Sequence, residues 1–240
     1  MNRSVVPLLL LLLLLPIGCN TQSSSPQPPL VQPDIAAAWP PEIKEGEKVE
    51  IVKDLLAKNY YVILDSSGSM AEDKCADGST KSAVSKKAFA EFIGVVPEQA
   101  NLGLLVFDKD GVRERTPLGK KNRDRILAEV NAVQPGDGTP LHDATIAGYA
   151  AIEKQAKVQL GYGEYHLIIV TDGQANPGQE PNAVVNRILA NTPVMIHTIG
   201  FCIDTNHALN QLGRTNYRTA KDPQELVKGL KAVVAESERF

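Results

Sequence analysis

The sequence predicts an α/β fold: a doubly wound, Rossmann-like and mostly parallel sheet of five or six strands with helices on both faces. Two observations support this prediction. From residue 42 onward, short apolar runs alternate with longer amphipathic stretches, as in successive βαβ units. The short runs are apolar at nearly every position, which indicates strands that are buried on both faces rather than on one.

The apolar runs and the amphipathic stretches give the order of the elements. Four core strands are predicted over residues 60–64, 102–107, 166–171 and 194–199. Helical spacing of apolar residues predicts helices over residues 82–95, 122–133, 141–160, 182–190 and 223–235. Residues 111–117 alternate in polarity, and we expect them to form a short edge strand paired with residues 102–107.

Composition excludes several classes of protein. The 240 residues are 43% hydrophobic and 22% charged, so the chain as a whole is not expected to be disordered. There are 25 basic and 28 acidic side chains, and this net charge of −3 gives no positive field to hold nucleic acid. The three cysteines form no CxxC pair and no HExxH motif occurs, so nothing indicates a zinc site.

The amino terminus has the pattern of an export signal. Arg3 precedes a nearly unbroken apolar run over residues 5–17. A bilayer-spanning helix needs about 20 apolar residues, whereas a secretory signal needs roughly 7–15. We therefore expect residues 1–18 to be a signal peptide.

The end of this run resembles the lipobox of bacterial lipoproteins, because the small Gly18 precedes Cys19. Pro16 and Ile17 depart from that pattern, which usually has leucine and a small residue there. The resemblance implies acylation of Cys19 and a protein anchored by lipid to a membrane of the bacterial cell envelope. Asn20 resembles the sorting pattern for the outer membrane, if the host has two membranes. The alternative is ordinary cleavage, with Cys19 as a bystander.

The residues after Cys19 form a linker before the folded domain. Residues 19–41 are rich in proline and serine and have no periodic apolar face, so we expect an extended tether. The domain is then predicted over residues 42–240. Trp39, the one tryptophan of the sequence, is expected to pack against the edge of that domain.

Polar loops follow the predicted strands at one edge of the sheet. Ligands of doubly wound sheets bind at the carboxyl ends of the strands, where these loops lie. Their oxygen-bearing residues are Asp65, Ser67, Ser69, Thr139 and Asp172. Oxygen donors without imidazole or thiolate suit a hard divalent cation, so we expect Mg²⁺, with Mn²⁺ or Ca²⁺ as alternatives.

These five residues resemble the metal-ion-dependent adhesion site of von Willebrand factor type A domains. That family has Asp-x-Ser-x-Ser after the first strand, a distant threonine, and an aspartate after the fourth strand. The resemblance covers about residues 55–236. It implies that Ser67, Ser69 and Thr139 bind the metal directly, while Asp65 and Asp172 act largely through water.

The resemblance also implies a function. Neutral hydroxyl ligands leave the cation with uncompensated positive charge, so an aspartate or glutamate of a partner protein completes its coordination. We therefore expect a non-enzymatic, lipid-anchored protein whose partners are an acidic protein ligand and, through the anchor, a membrane.

Two other functions remain open from the residues alone. An envelope hydrolase would need a nucleophile, but no GxSxG motif surrounds Ser67 or Ser69, and His142 is the one histidine near the threonine that could act as a base. Alternatively, the protein is a structural lipoprotein whose metal merely stabilises a loop. Each hydroxyl residue taken singly is also typical of a turn or a helix cap.

The remaining cysteines, Cys75 and Cys202, are an even pair in a chain with an export signal, which favours a disulfide. Both follow predicted strands near the carboxyl edge, so a bridge between them would hold the metal-binding loop. The alternative is two free thiols. The histidines His166, His197 and His207 are scattered, and no spacing connects them to a site.

Overall fold

A computed structural model of the protein describes residues 38–237. The predicted signal peptide, residues 19–37 of the linker and the lipidation site Cys19 lie outside the described residues. Within residues 38–237, no helix combines the length and the apolar composition needed to cross a membrane.

The centre of the domain is a six-stranded sheet in the order β3-β2-β1-β4-β5-β6. All neighbouring strands are parallel except β2 and β3, which are antiparallel. The strands are β1 (Lys58–Asp65), β2 (Asn101–Asp108), β3 (Gly111–Gly119), β4 (Glu164–Thr171), β5 (Met195–Phe201) and β6 (Asn216–Ala220). This arrangement confirms the predicted fold class and the edge strand paired with β2.

The first strand, β1, lies in the middle of the sheet. From β1 the chain runs outward through β2 to β3, returns to β4 beside β1, and then runs outward in the other direction to β6. The strand order therefore reverses between β1 and β4. In doubly wound sheets this reversal opens a crevice at the carboxyl ends of the two strands, where ligands bind.

In the described residues, five α-helices cover both faces of the sheet. They are α1 (Lys81–Val95), α2 (Arg123–Ala132), α3 (Leu141–Val158), α4 (Asn182–Asn191) and α5 (Pro223–Ser237). Alternate residues of β1 supply the two apolar cores, because successive side chains of a strand point to opposite faces. Val62 lies in the core beneath α1, α2 and α5, and Ile63 in the core beneath α3 and α4.

The end of the long helix and the sixth strand differ from the sequence prediction, whereas the other elements agree to within about two residues at each end. The long helix was expected to continue to residue 160 but ends at Val158, and Leu160 takes a left-handed backbone conformation with φ of 53°. The side chain of Gln159 holds this turn by donating to the carbonyl oxygens of Leu55 and Ala57. The sixth strand, β6, had no apolar run to indicate it, because it is a half-exposed edge strand.

The amino-terminal end of the described chain packs on the domain. The indole of Trp39 meets the ring of Tyr165 edge-on at a centroid distance of 5.0 Å and donates a hydrogen bond to the Gly161 carbonyl oxygen. Gly161 precedes β4, so this contact lies at the amino ends of the parallel strands. Trp39 thus packs at the domain edge, at the end of the sheet opposite the crevice.

Candidate metal centre

The five predicted metal-site residues lie on three loops around the crevice. The Oγ atoms of Ser67 and Ser69 are 3.2 Å apart, and Ser69 donates a hydrogen bond of 2.8 Å to Oδ1 of Asp172. Thr139 comes from the loop before α3. A Cβ atom added at Gly173 would lie 3.8 Å from Oγ1 of Thr139 and 3.9 Å from Oγ of Ser69, so both hydroxyls border the same glycine. The fold therefore brings all three hydroxyls to one place.

Asp65 holds the loop after β1 in place through hydrogen bonds. Its side chain is fully buried; Oδ1 accepts a hydrogen bond of 2.8 Å from the Ser67 backbone N–H, and Oδ2 accepts one of 2.6 Å from the Thr171 hydroxyl. Burial and the nearby charge of Asp172 raise the pKa of Asp65 to about 6, against the opposing effect of these hydrogen bonds. The carboxylate pair is therefore a place where an added positive charge is favourable.

The loop that carries Thr139 is held by Asn176. The Thr139 N–H donates to Oδ1 of Asn176 at 3.1 Å, and the Asn176 N–H donates to the Thr139 carbonyl oxygen at 3.0 Å. A Cβ atom at Gly138 would approach Nδ2 of Asn176 to 2.0 Å, so any other residue here would require the Asn176 side chain to move. The Gly68 N–H donates to the Asp137 carbonyl oxygen at 3.1 Å and joins this loop to the serine loop.

Sequence reasoning missed one charged residue of the site, Lys81. Its side chain is 4% exposed, and its ammonium lies 2.8 Å from Oδ2 of Asp172 and 3.0 Å from Oε2 of Glu72. Burial acts to lower the pKa of Lys81, but the hydrogen bonds with Asp172 and Glu72 outweigh it, and the pKa is raised. The available signal was the position of Lys81 directly after the helix cap Thr80, where the helix dipole disfavours a cation.

The donor set fits a hard divalent cation. Adjacent oxygen ligands of an octahedral Mg²⁺ lie about 3.0 Å apart, since each metal–oxygen bond is about 2.1 Å. The Ser67 and Ser69 hydroxyls, at 3.2 Å, match this spacing before any rearrangement. Across residues 38–237, no group of three or more His, Cys, Asp and Glu side chains is placed to hold a metal. The fit therefore depends on hydroxyl donors as well as carboxylates.

A disulfide joins the two cysteines that follow predicted strands. Cys75 and Cys202 are bonded, with Cα atoms 5.8 Å apart and a sequence separation of 127. Cys75 belongs to the segment between the serine loop and α1, and Cys202 follows β5. The bond thus links the segment next to the candidate site to the far half of the sheet.

Two histidines that look unrelated in sequence are neighbours in the structure. Nδ1 of His166 and Nε2 of His197 are 3.1 Å apart on β4 and β5. Burial lowers the pKa of both rings, that of His197 to about 3. The pair lies near the amino ends of the strands, remote from the serine loop. Strand register, which the sequence did not give, is what brings the two rings together.

The other two histidines contact neither serine hydroxyl. Nδ1 of His142 faces the carboxylate of Asp143 at 2.9 Å, and Nε2 of His207 faces the carbonyl oxygen of Gly173 at 2.9 Å. Throughout the described part of the chain, no histidine forms a hydrogen bond with Ser67 or Ser69.

A six-stranded sheet of this order with helices on both faces defines the class of doubly wound α/β domains. Residues 59–231 match the family model of the von Willebrand factor type A domain, and the chain belongs to that family. This membership confirms the family that the motif residues predicted.

Several bacterial proteins are similar to this chain. The uncharacterized protein YwmC of Bacillus subtilis (strain 168) is 26% identical over 157 residues, which cover 60% of this chain and 66% of YwmC. A von Willebrand factor type A protein from Catenulispora acidiphila has the same fold, with a TM-score of 0.60 and 18% identity over 76% of this chain and 43% of its own. The chain thus spans less than two thirds of either relative.

A third relative is an adhesin. The pilus adhesin SpaC from Lactobacillus rhamnosus GG has a TM-score of 0.56 and 13% identity, with 78% of this chain and 31% of SpaC covered. At these identities the two solved structures show a shared fold and nothing finer.

Proposed function

We propose that this domain binds a partner protein through a divalent cation, with Mg²⁺ as the cation in the cell. Ser67, Ser69 and Thr139 hold the ion, and Asp65 and Asp172 fix the hydroxyls and the metal-bound waters. The observation that carries the proposal is the 3.2 Å pair of serine hydroxyls at the switch point, with Asp65 bonded to one serine's backbone and Asp172 to the other's hydroxyl.

The partner supplies an acidic side chain. Three neutral hydroxyls and the waters that the two aspartates hold leave room in an octahedron for an external oxygen, and a carboxylate is a ligand that a hard cation prefers there. The pilus adhesin SpaC, which shares the fold, supports a role in adhesion. The domain has no catalytic activity of its own in this proposal.

The proposed location is the bacterial cell envelope, with Cys19 carrying the lipid anchor and the outer membrane as the site in a two-membrane host. Trp39 lies at the end of the sheet opposite the serine loop, so the contacts of this part of the linker leave the metal site uncovered.

Metal binding is tested by calorimetry with Mn²⁺ and Mg²⁺ on the wild type, on Ser67→Ala/Ser69→Ala, and on Ser66→Ala. Ser66 is a matched control, because it lies in the same loop and its buried hydroxyl has no hydrogen-bond partner. We expect the double variant to lose at least 100-fold in metal affinity and Ser66→Ala to keep wild-type affinity. Equal affinities in all three proteins would contradict the proposed site.

Partner binding needs a second experiment. Envelope extract is passed over the immobilised wild-type domain with Mg²⁺ or with EDTA, and over the Ser67→Ala/Ser69→Ala variant. We expect one captured protein whose retention requires both the metal and the serines, and whose binding disappears when one of its Asp or Glu residues is replaced. Capture that survives EDTA would exclude the metal-dependent function, and esterase or phosphatase activity lost with the serines would favour the hydrolase.

A further inference from the structure

Lys81 occupies a position that its own helix disfavours. It is the first residue of α1, where the helix dipole presents positive charge. Its side chain is nevertheless 4% exposed and directed at Asp172, with the ammonium 2.8 Å from Oδ2. An interaction with the metal loop must therefore offset the unfavourable placement of this cation.

The two oxygens of Asp172 have different partners. Oδ1 accepts the hydroxyl hydrogen of Ser69, which is one of the proposed metal ligands, and Oδ2 accepts from Lys81. The Asp172 side chain is fully buried between them. Lys81 therefore lies behind the carboxylate, where it changes the charge of the site without occupying a ligand position.

The charge balance follows from these contacts. Asp65 and Asp172 contribute two negative charges, and Lys81 contributes one positive charge. With a divalent cation bound, the site has a net charge of +1, whereas the same site without Lys81 would be neutral. Glu72 also contacts Lys81, but its side chain is 60% exposed and its charge is screened by solvent.

We propose that Lys81 determines the specificity of the site for an anionic ligand, by weakening the binding of the metal alone and strengthening the binding of a carboxylate to the metal-loaded protein. This inference rests on the proposed function. The Lys81 ammonium donates to Asp172 and, at 3.5 Å, to the carbonyl oxygen of Ser69, so it is a positioning and charge-setting residue rather than a metal ligand.

The test uses Mn²⁺ as the metal and acetate as the carboxylate. Mn²⁺ affinity is measured by calorimetry, and acetate binding by the loss of water-proton relaxation when acetate displaces a metal-bound water. In Lys81→Met we expect Mn²⁺ to bind about tenfold more tightly and acetate about tenfold more weakly, the size of effect that one unit charge has near a protein surface. Lys81→Arg should keep the wild-type values.

Two further variants make the result interpretable. Lys87→Met removes the same charge from an exposed position on α1, so it should change neither affinity. Lys81→Gln removes the charge but keeps a polar group that can donate a hydrogen bond to Asp172. We expect it to reproduce both changes of Lys81→Met, and it provides the answer if Lys81→Met alone fails to fold.

The outcomes separate this inference from the proposed function. If the wild type binds Mn²⁺ and acetate but Lys81→Met matches Lys87→Met in both affinities, the role of Lys81 is wrong and the metal site stands. If Lys81→Gln keeps the wild-type acetate affinity at saturating Mn²⁺, charge balance is wrong as the explanation. A wild type that binds no Mn²⁺ would overturn the proposed function itself.

Discussion

The two ends of the central sheet both contain buried polar side chains, but they use them differently. At the amino ends of the strands, polar groups are paired with one another beneath the end of α5. At the carboxyl ends, the aspartates are paired, while serine and threonine hydroxyls converge at a partly exposed loop. Buried polar side chains that hydrogen-bond only with one another stabilise the fold. Buried polar side chains whose oxygens keep free lone pairs are able to bind a ligand.

The amino end is a closed network. The Tyr60 hydroxyl donates to Oγ of Ser237 at 2.8 Å, and the Ser237 hydroxyl donates in turn to Glu164 at 2.7 Å. Lys58 bonds to both Glu164 and Ser237, so it ties the last residue of α5 to β1 and β4. His166 stacks on Tyr60 with a centroid distance of 4.7 Å. This network holds α5 to the sheet.

The carboxyl end is open by comparison. Gly68 and Gln174 are exposed beside the hydroxyls, and Ser69 is half-buried. Each aspartate holds a neighbouring group and leaves the serine oxygens with free lone pairs. A ligand is therefore able to bind at this end without disrupting the sheet.

The largest expected effect concerns the covalent link at the carboxyl end. Replacing both Cys75 and Cys202 by serine removes a crosslink across 127 residues, and the free energy of unfolding should fall by about 3–5 kcal/mol, because the unfolded chain regains the entropy of that loop. Guanidinium denaturation measures the change. Amide hydrogen exchange should rise in the segment after β1 and stay unchanged at the amino ends of the strands. A decrease in the free energy of unfolding of less than about 1 kcal/mol would contradict this expectation.

The second effect concerns pH and the amino end. His197 has a pKa near 6.5 when unfolded and about 3 when folded, so between these values the unfolded state binds the extra proton. Stability is therefore full above pH 6.5 and falls as the pH falls, by about 2 kcal/mol at pH 5 for this residue.

The pH effect is isolated by comparison with His197→Gln, which cannot be protonated. Thermal or urea unfolding of both proteins between pH 7 and pH 5 gives the difference, and this comparison removes the opposite contribution of Asp65, whose raised pKa favours the folded state in acid. Parallel pH profiles of the two proteins would show that the histidine pair does not behave as a buried neutral pair.

The smallest expected effect concerns an ion pair on the surface of the protein. Lys231 of α5 pairs with Glu91 of α1 at 2.7 Å, and both side chains are substantially exposed. Lys231→Ala should change the free energy of unfolding by less than about 0.5 kcal/mol, because exposed ion pairs contribute little. Urea denaturation checks this, and a larger loss would mean that α5 depends on surface charge as well as on the closed network.

Much of the fold was predictable because buried parallel strands leave a simple pattern. Runs such as residues 60–64 and 166–171 are apolar at nearly every position. The observed strand β1 is longer than its run by two residues at the amino end and one at the carboxyl end, and β4 by two residues at the amino end. The edge strand β6 was missed because Asn216–Ala220 is half-exposed and has no apolar run. The motif aspartates and serines were predictable because they directly follow those strands.

Sequence order alone determined the family pattern, the strands that carry it and the oxygen chemistry of its loops, because local polarity and spacing encode these features. Tertiary structure alone decided which distant groups meet. Lys81 reaches Asp172 across 91 residues, and His166 meets His197 across 31, through strand register and helix packing. Such contacts leave no local periodicity, since each depends on the position of a second element that the chain supplies elsewhere.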